Sequence, residues 1–175
     1  LKKKHIAFAS ASMKVSLIIA VVISLAQLVL SGDKSAKIVH EYQPAKFAAM
    51  EGHWKSGPAG LTILGYIDES NKKTTGITIP AITSILIGLD PAYPITGLDS
   101  IPVNERPPLQ LTFQSYHIMI AIGVTLIFLS LLGCFLWWKG KLFNSRYVLW
   151  MFVFSVFLPV IANTAGWVTA EVGRQ

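Results

Sequence analysis

Three long apolar runs, each bounded by charge, organise this chain. Residues 15–32 carry no charged side chain between Lys14 and Asp33 and hold SLIIAVVISLAQLVL at their centre. At about 1.5 Å per residue that is just enough to cross about 30 Å of hydrocarbon. The rival reading, a leader cleaved near Ser31-Gly32, lacks the small-residue pattern that would release a free-standing soluble domain. A second run is uncharged from Pro107 to Trp138 and strongly apolar from about Tyr116 onward. It ends in Trp137-Trp138-Lys139, the aromatic-then-cation order of a membrane interface. The third, residues 147–170, is also uncharged and contains Trp150, Phe152, Phe154 and Phe157. Pro159 inside it predicts a kink whose freed carbonyl a neighbouring helix can satisfy. The expected architecture is all-α and integral to a membrane: three transmembrane helices (13–32, 115–138 and 147–175) of a larger helical bundle, a basic flank at 1–12, a basic loop at 139–146 and a long outer segment at 33–114.

The outer segment reads differently from the runs that bracket it. It carries seven basic and eight acidic side chains and is punctuated at Gly57-Pro58, Asn71-Lys72-Lys73, Asp90-Pro91 and Pro107-Pro108, and it is too long for an idle connector. Residues 45–51 predict a short helix. Residues 77–89 are apolar but short and interrupted by Pro80, which suits a segment lying on the membrane better than one crossing it.

Composition agrees with a membrane protein: 53% hydrophobic and only 14% charged, against roughly a quarter charged in soluble domains. The net charge of +6 would ordinarily raise the question of nucleic acid. Lys2, Lys3, Lys4 and Lys14, and then Lys139, Lys141 and Arg146, instead abut apolar runs rather than interleaving with aromatics that could stack on bases. Membrane flanks explain these clusters better than nucleic acid does, and no nucleic-acid partner is expected. Both fall in short flanks where Lys and Arg set orientation, and three spans with both clusters inside place residues 33–114 outside. Cys134, alone among apolar neighbours, can form no internal disulfide and reads as packing. The start at Leu1 and the stop at Gln175 suggest a piece of a longer protein.

Few residues are left to carry chemistry. Asn163, Trp167, Glu171 and Arg174 fall on one helical stripe; Glu171 and Arg174 are either an interfacial ion pair or functional intramembrane charges. His117 and Met119 stand about 200° apart on a helix, so at most one faces a given cofactor. Met119 is a packing residue or a thioether that completes a low-spin haem opposite a histidine from another helix. His5, His40 and His53 lie at the wrong places to be that histidine. Lys46 and Glu51 are about 140° apart on a helix, not an i, i+4 pair. They are solvated charges, or a hydrogen-bond donor and a base beside a quinol head group.

Taken in order, these landmarks resemble subunit I of cytochrome bd quinol oxidase. They are Gly32-Asp33 closing a span, Lys46-Phe47-Ala48-Ala49-Met50-Glu51 followed by Trp54, His117-Ile118-Met119 heading a helix, and Gly166-Trp167 with Glu171-Val172-Gly173-Arg174-Gln175. The resemblance implies that Met119 is an axial ligand of low-spin haem b. It implies that Glu171 serves a high-spin pair, haem b with haem d or a b-type substitute, with Trp167 between haems and Arg174 near haem carboxylates. Lys46 and Glu51 would oxidise quinol in the outer Q-loop, here of the shorter form. Where some members carry Arg two residues before the axial Met, this chain has His117, which would place a cation on a haem propionate only when protonated. The implied partners are membrane quinol, O2, subunit II, small accessory subunits and the lipid of a bacterial or archaeal cytoplasmic membrane. The family's axial histidines lie upstream of Leu1, so the fragment alone is expected to be inactive. The competing reading is a non-catalytic three-span scaffold or permease segment, with Glu171 and Arg174 as an interfacial pair and Met119 as packing.

Overall fold

The computed structural model describes residues 3–173. Helix α1 (Lys3–Ala26) is followed without a break by a π-helical turn, Gln27–Gly32, and by α2 (Asp33–Tyr42). The helix therefore begins before the first long apolar run and continues past its end. Gln43 breaks it, and Pro44 opens α3 (Pro44–Glu51) at its first position, where a missing N–H costs nothing. Gly52 ends α3 in the left-handed conformation at φ 65°, a geometry that glycine adopts without strain.

The rest of the outer segment is not wholly helical. Residues 57–58 (β1) pair with residues 94–95 (β4), and β2 (Leu61–Asp68) pairs antiparallel with β3 (Lys73–Ile79). The β2–β3 stretch is rich in Thr, Ile and Gly, residues that suit a pleated surface and a bulge; the register shifts between Thr62 and Leu64. Asp68 closes the turn, accepting bonds from Ser70 Oγ (2.6 Å), Asn71 N (3.0 Å) and Asn71 Nδ2 (2.7 Å). Residues 77–89, expected as one surface-lying stretch, are divided at Pro80 into the end of β3 and the short helix α4 (Ile82–Gly88).

Helix α5 (Leu109–Trp138) is the spine of the molecule. Its first turns receive the outer segment on Leu109 and Phe113, which pack with Ala48, Ala49, Ile67, Leu98 and Ile101. Three polar side chains at spacings of four and three then grip strand β2. Gln110 Oε1 accepts from Ile67 N at 2.9 Å, Gln114 Nε2 donates to Gly65 O at 2.9 Å, and His117 Nε2 lies 2.7 Å from Thr62 O. An exposed strand edge is a liability, and one stripe of α5 satisfies this one.

After the turn at Lys139 and Gly140, α6 (Arg146–Ser155) and α7 (Leu158–Val172) share the third apolar run. The break falls at residues 156–157, with Pro159 in the first turn of α7, so the expected kink is a helix-to-helix turn. Three stretches, Lys4–Ala26, Val103–Trp138 and Arg146–Val172, are long and apolar enough to cross a membrane. They converge at Gly133: a Cβ there would stand 2.7 Å from both Leu17 Cδ2 of α1 and Phe152 Cζ of α6. At the same end Lys14 Nζ sits 5.5 Å from the Trp137 ring and 5.9 Å from that of Phe143, so the two basic clusters share one end of the bundle.

Candidate functional site

Glu51 is the last residue of α3 and is 4% exposed. Ionising a carboxyl in such a place is costly without donors. Two hydroxyls act on it: Thr83 Oγ1 of α4 donates to Glu51 Oε2 at 3.4 Å, and the Tyr116 phenol of α5 is near enough to lower its pKa. Burial nevertheless dominates and pushes the carboxyl up to about 7, the two hydroxyls pulling it back only in part. A proton acceptor poised near neutrality is what general base catalysis requires.

Glu51 is also among the residues that line a cleft of about 310 Å³ between α3, the loop after it and the β2–β3 hairpin, together with His53, Trp54, Lys55, Lys72 and Lys73. Gly52 lets the chain turn at its floor, where Thr74 Oγ1 donates to Gly52 O at 2.5 Å. Two ring nitrogens on lining residues, His53 Nε2 and Trp54 Nε1, are buried with no hydrogen-bond partner. Burial also lowers the His53 imidazole below its ordinary value.

Lys46, on another face of α3, does not open on that cleft. It lines a second one of about 380 Å³ with Tyr42, Gln43, Ser100, Glu105 and Gly173. Its ammonium donates to Ala170 O of α7 at 3.2 Å, and its stem lies so close over Gly173 that a Cβ there would meet Lys46 Cγ at 2.8 Å. Desolvation lowers the ammonium below its ordinary value, opposed by the nearby Glu171 carboxylate. The structure therefore separates Lys46 from Glu51 and brings Lys46 to Glu171.

Met119 and Glu171 point at different places. A Cβ on Gly166 would lie 2.8 Å from the Met119 sulfur, so the half-buried thioether rests on α7 where only glycine leaves room. Asn163, Trp167 and Glu171 occupy another, exposed face of α7, Trp167 being 64% exposed. Thr169 faces inward and bonds to Ser115 of α5 at 2.8 Å between hydroxyls. Among the described residues no three His, Cys, Asp or Glu gather as around a bare metal ion. The chain presents single donors on helices, a set that fits iron already held in a porphyrin and lacking only axial ligands. Arg174 lies outside the described residues.

His117, expected near a haem, is 8% exposed and faces the hairpin. Its Nδ1 is 2.8 Å from Phe113 O and its Nε2 is 2.7 Å from Thr62 O, with the ring 3.9 Å from that of Phe113 between centroids. Carbonyl oxygens only accept, so the neutral ring can donate to one of them and the imidazolium to both. Neither nitrogen is free for a propionate. Thr83 and Tyr116 are the groups near Glu51 that sequence reasoning overlooked, and it weighed His53 only as a haem ligand, whereas His53 lines the cleft with Glu51. The spacing of Gln110, Gln114 and His117 was the one available signal that α5 holds the outer segment.

Residues 1–175 match the family described as cytochrome bd terminal oxidase subunit I. The chain is 33% identical to the cytochrome bd ubiquinol oxidase subunit 1 of Bacillus subtilis (strain 168), covering all of this chain and 40% of that protein. It is 24% identical to the cytochrome bd-II ubiquinol oxidase subunit 1 of Escherichia coli (strain K12), over 82% of this chain and 41% of that one. The bd oxidase structure from Geobacillus thermodenitrificans superposes with a TM-score of 0.75 at 36% identity, covering 92% of this chain and 37% of that chain. The chain thus spans about 40% of the length of these relatives.

Proposed function

This chain belongs to the cytochrome bd terminal oxidase subunit I family, and from that membership we propose that it supplies the quinol-oxidising loop and two haem-bearing helices of a membrane quinol oxidase. The observation that carries the reading is Glu51: burial holds its carboxyl near neutrality, and the residue lines a cleft together with His53 and Trp54, each of which has a buried, unpartnered ring nitrogen. A quinol head group in the cleft would place one hydroxyl against Glu51, which takes its proton as the O–H bond breaks. Trp54 Nε1–H and His53 would then find the oxygen partners they lack, and Lys55, Lys72 and Lys73 favour the anion that proton loss creates. The proton would leave to water on the outer side, where basic flanks on the cytoplasmic side would put this segment.

Lys46 works from the opposite face of α3. Its bond to Ala170 holds the quinol loop against the helix that carries Glu171. Met119 would hold low-spin haem b and Glu171 the high-spin pair, with Trp167 on the same exposed face of α7. Bound haem supplies the one-electron acceptors and the reduction of O2 to water. This chain's part would be to hold the Met119 thioether over Gly166 and to present the Glu171 carboxylate one turn beyond Trp167. Subunit II and the missing portion of subunit I would cover the apolar faces that the three spans leave exposed.

Replacing Glu51 by Gln in the full oxidase tests the reading. The variant should retain its haem spectrum while quinol oxidation falls by about two orders of magnitude or more, the usual scale of a lost general base, and loses its dependence on pH near 7. Normal turnover in that variant would remove Glu51 from the quinol chemistry.

A further inference from the structure

The β2–β3 hairpin is polarised along its length, and helix α5 fixes which end points where. The charged side chains of residues 61–79, Asp68, Glu69, Lys72 and Lys73, all gather at its turn, and residues 74–89, running from β3 through α4, carry none. The bonds to α5 set the direction. The turn end, at Ile67, lies beside Gln110, and the open end, at Thr62, lies beside His117. Those two helix positions are about two turns, about 10 Å, apart along α5, so the open end reaches the level where the strongly apolar part of the span begins, near Tyr116. The charged end therefore points away from the bilayer and the uncharged end toward it.

The side chains follow the same gradient. Cross-strand pairs on one face descend from Asp68–Lys73 through Tyr66–Thr75 to Leu64–Ile77, and Tyr66, Leu64 and Ile77 are exposed. A tyrosine between an apolar and a charged level is the order of a membrane–water interface. Helix α4 extends the surface. Its Ser84 turns inward, Oγ accepting from Ala59 N and donating to Tyr93 O, both at 2.8 Å, while Ile85 and Leu86 are exposed. Leu89, held left-handed at φ 57° just past the helix, is 83% exposed. A chain facing only water gains nothing from a bulky apolar side chain presented in a conformation that costs energy.

We propose that the open end of this hairpin and helix α4 form a lipid-docking surface: Leu64, Ile77, Leu86 and Leu89 rest in the outer leaflet of the bilayer, with Tyr66 at head-group level. A protein partner would need no charge gradient parallel to the helix that crosses the membrane, whereas a bilayer imposes one. At the same level of α5, Ile118 and Ile120 are exposed too. The inner side of α4 carries Thr83, which donates to Glu51 at 3.4 Å, so this one helix would stand between lipid and that carboxyl. The docking surface itself does not depend on the role proposed for Glu51.

The test is photo-crosslinking in the full oxidase, reconstituted in dioleoylphosphatidylcholine vesicles, with benzoylphenylalanine placed singly at positions 64, 86 and 89 and, as a control, at 69. On irradiation the benzophenone inserts into a nearby C–H bond, which acyl chains supply and water does not. Peptide mass spectrometry should find the mass of one phospholipid added at 64, 86 and 89 and none at 69. Adducts to subunit II or to another part of subunit I would show that protein covers this face, and no adduct at all three positions that water does; either result overturns the proposal. So does lipid addition at 69 equal to that at 86, because the gradient would then be absent. The three positions are independent, so misfolding of one variant, seen as a lost haem spectrum, leaves the other two to decide.

Discussion

At the scale of single residues, Glu51 is the charged side chain that the described fold buries. Glu51 has a folded-state value of about 7 against an ordinary 4.5. The neutral carboxyl is therefore the form that burial favours, and its contribution to stability is complete below about 4.5. It is lost as pH rises through 7, for a total of about 3 kcal/mol. Glu51→Gln cannot ionise, so its stability relative to the wild type should rise by about that amount between pH 4.5 and 8. Thermal unfolding of the detergent-solubilised complex at several pH values measures the difference, and a pH-independent offset would contradict the burial assigned to this carboxyl. The residue's type and its place after Lys46-Phe47-Ala48-Ala49-Met50 were legible in the sequence. Its raised pKa was not, because the burial that causes it is made by segments far away in sequence, and Thr83 and Tyr116, which oppose it, lie 32 and 65 positions off.

At the scale of elements, α5 does two jobs that use different parts of one helix. Its outer turns hold the hairpin through Gln110, Gln114 and His117, and its inner turns let α1 and α6 approach at Gly133. Leucine at position 133 would wedge three helices apart. Overpacking of this kind costs about 1–3 kcal/mol, so Gly133→Leu should unfold several degrees earlier than the wild type while Gly133→Ala, which asks only two side-chain ends to shift, loses less. A Tm unchanged in both would show that the three spans do not meet there. The helical spans were readable from apolar length, and the short helix at α3 from its Ala-rich run after Pro44. The β2–β3 hairpin was missed: its alternation is blurred by the bulge at Thr62 and Leu64 and by Gly65 and Gly76, which sit where the strands lie closest.

At the scale of the whole molecule, two basic clusters far apart in sequence lie at one end of the bundle, where Lys14 faces Trp137 and Phe143, and the outer segment caps the first turns of α5. Single cysteines at Lys4 and Lys141 should then react with a membrane-impermeant thiol reagent only from the cytoplasmic side, and one at Glu69 only from outside, in a Cys134→Ser background. Labelling of positions 69 and 141 from the same side would refute the topology. Sequence by itself determined that three stretches are long and apolar enough to cross a membrane and supplied an expected orientation and a short catalogue of chemically useful residues, because apolar length and flanking charge are local properties that lipid reads directly. Only the tertiary structure decided which of those residues act together. It parted Lys46 from Glu51, joined Lys46 to the helix of Glu171, turned His117 to the hairpin, and brought Thr83 to the carboxyl. Such pairings depend on which faces of distant helices meet, and no periodicity along one helix encodes that.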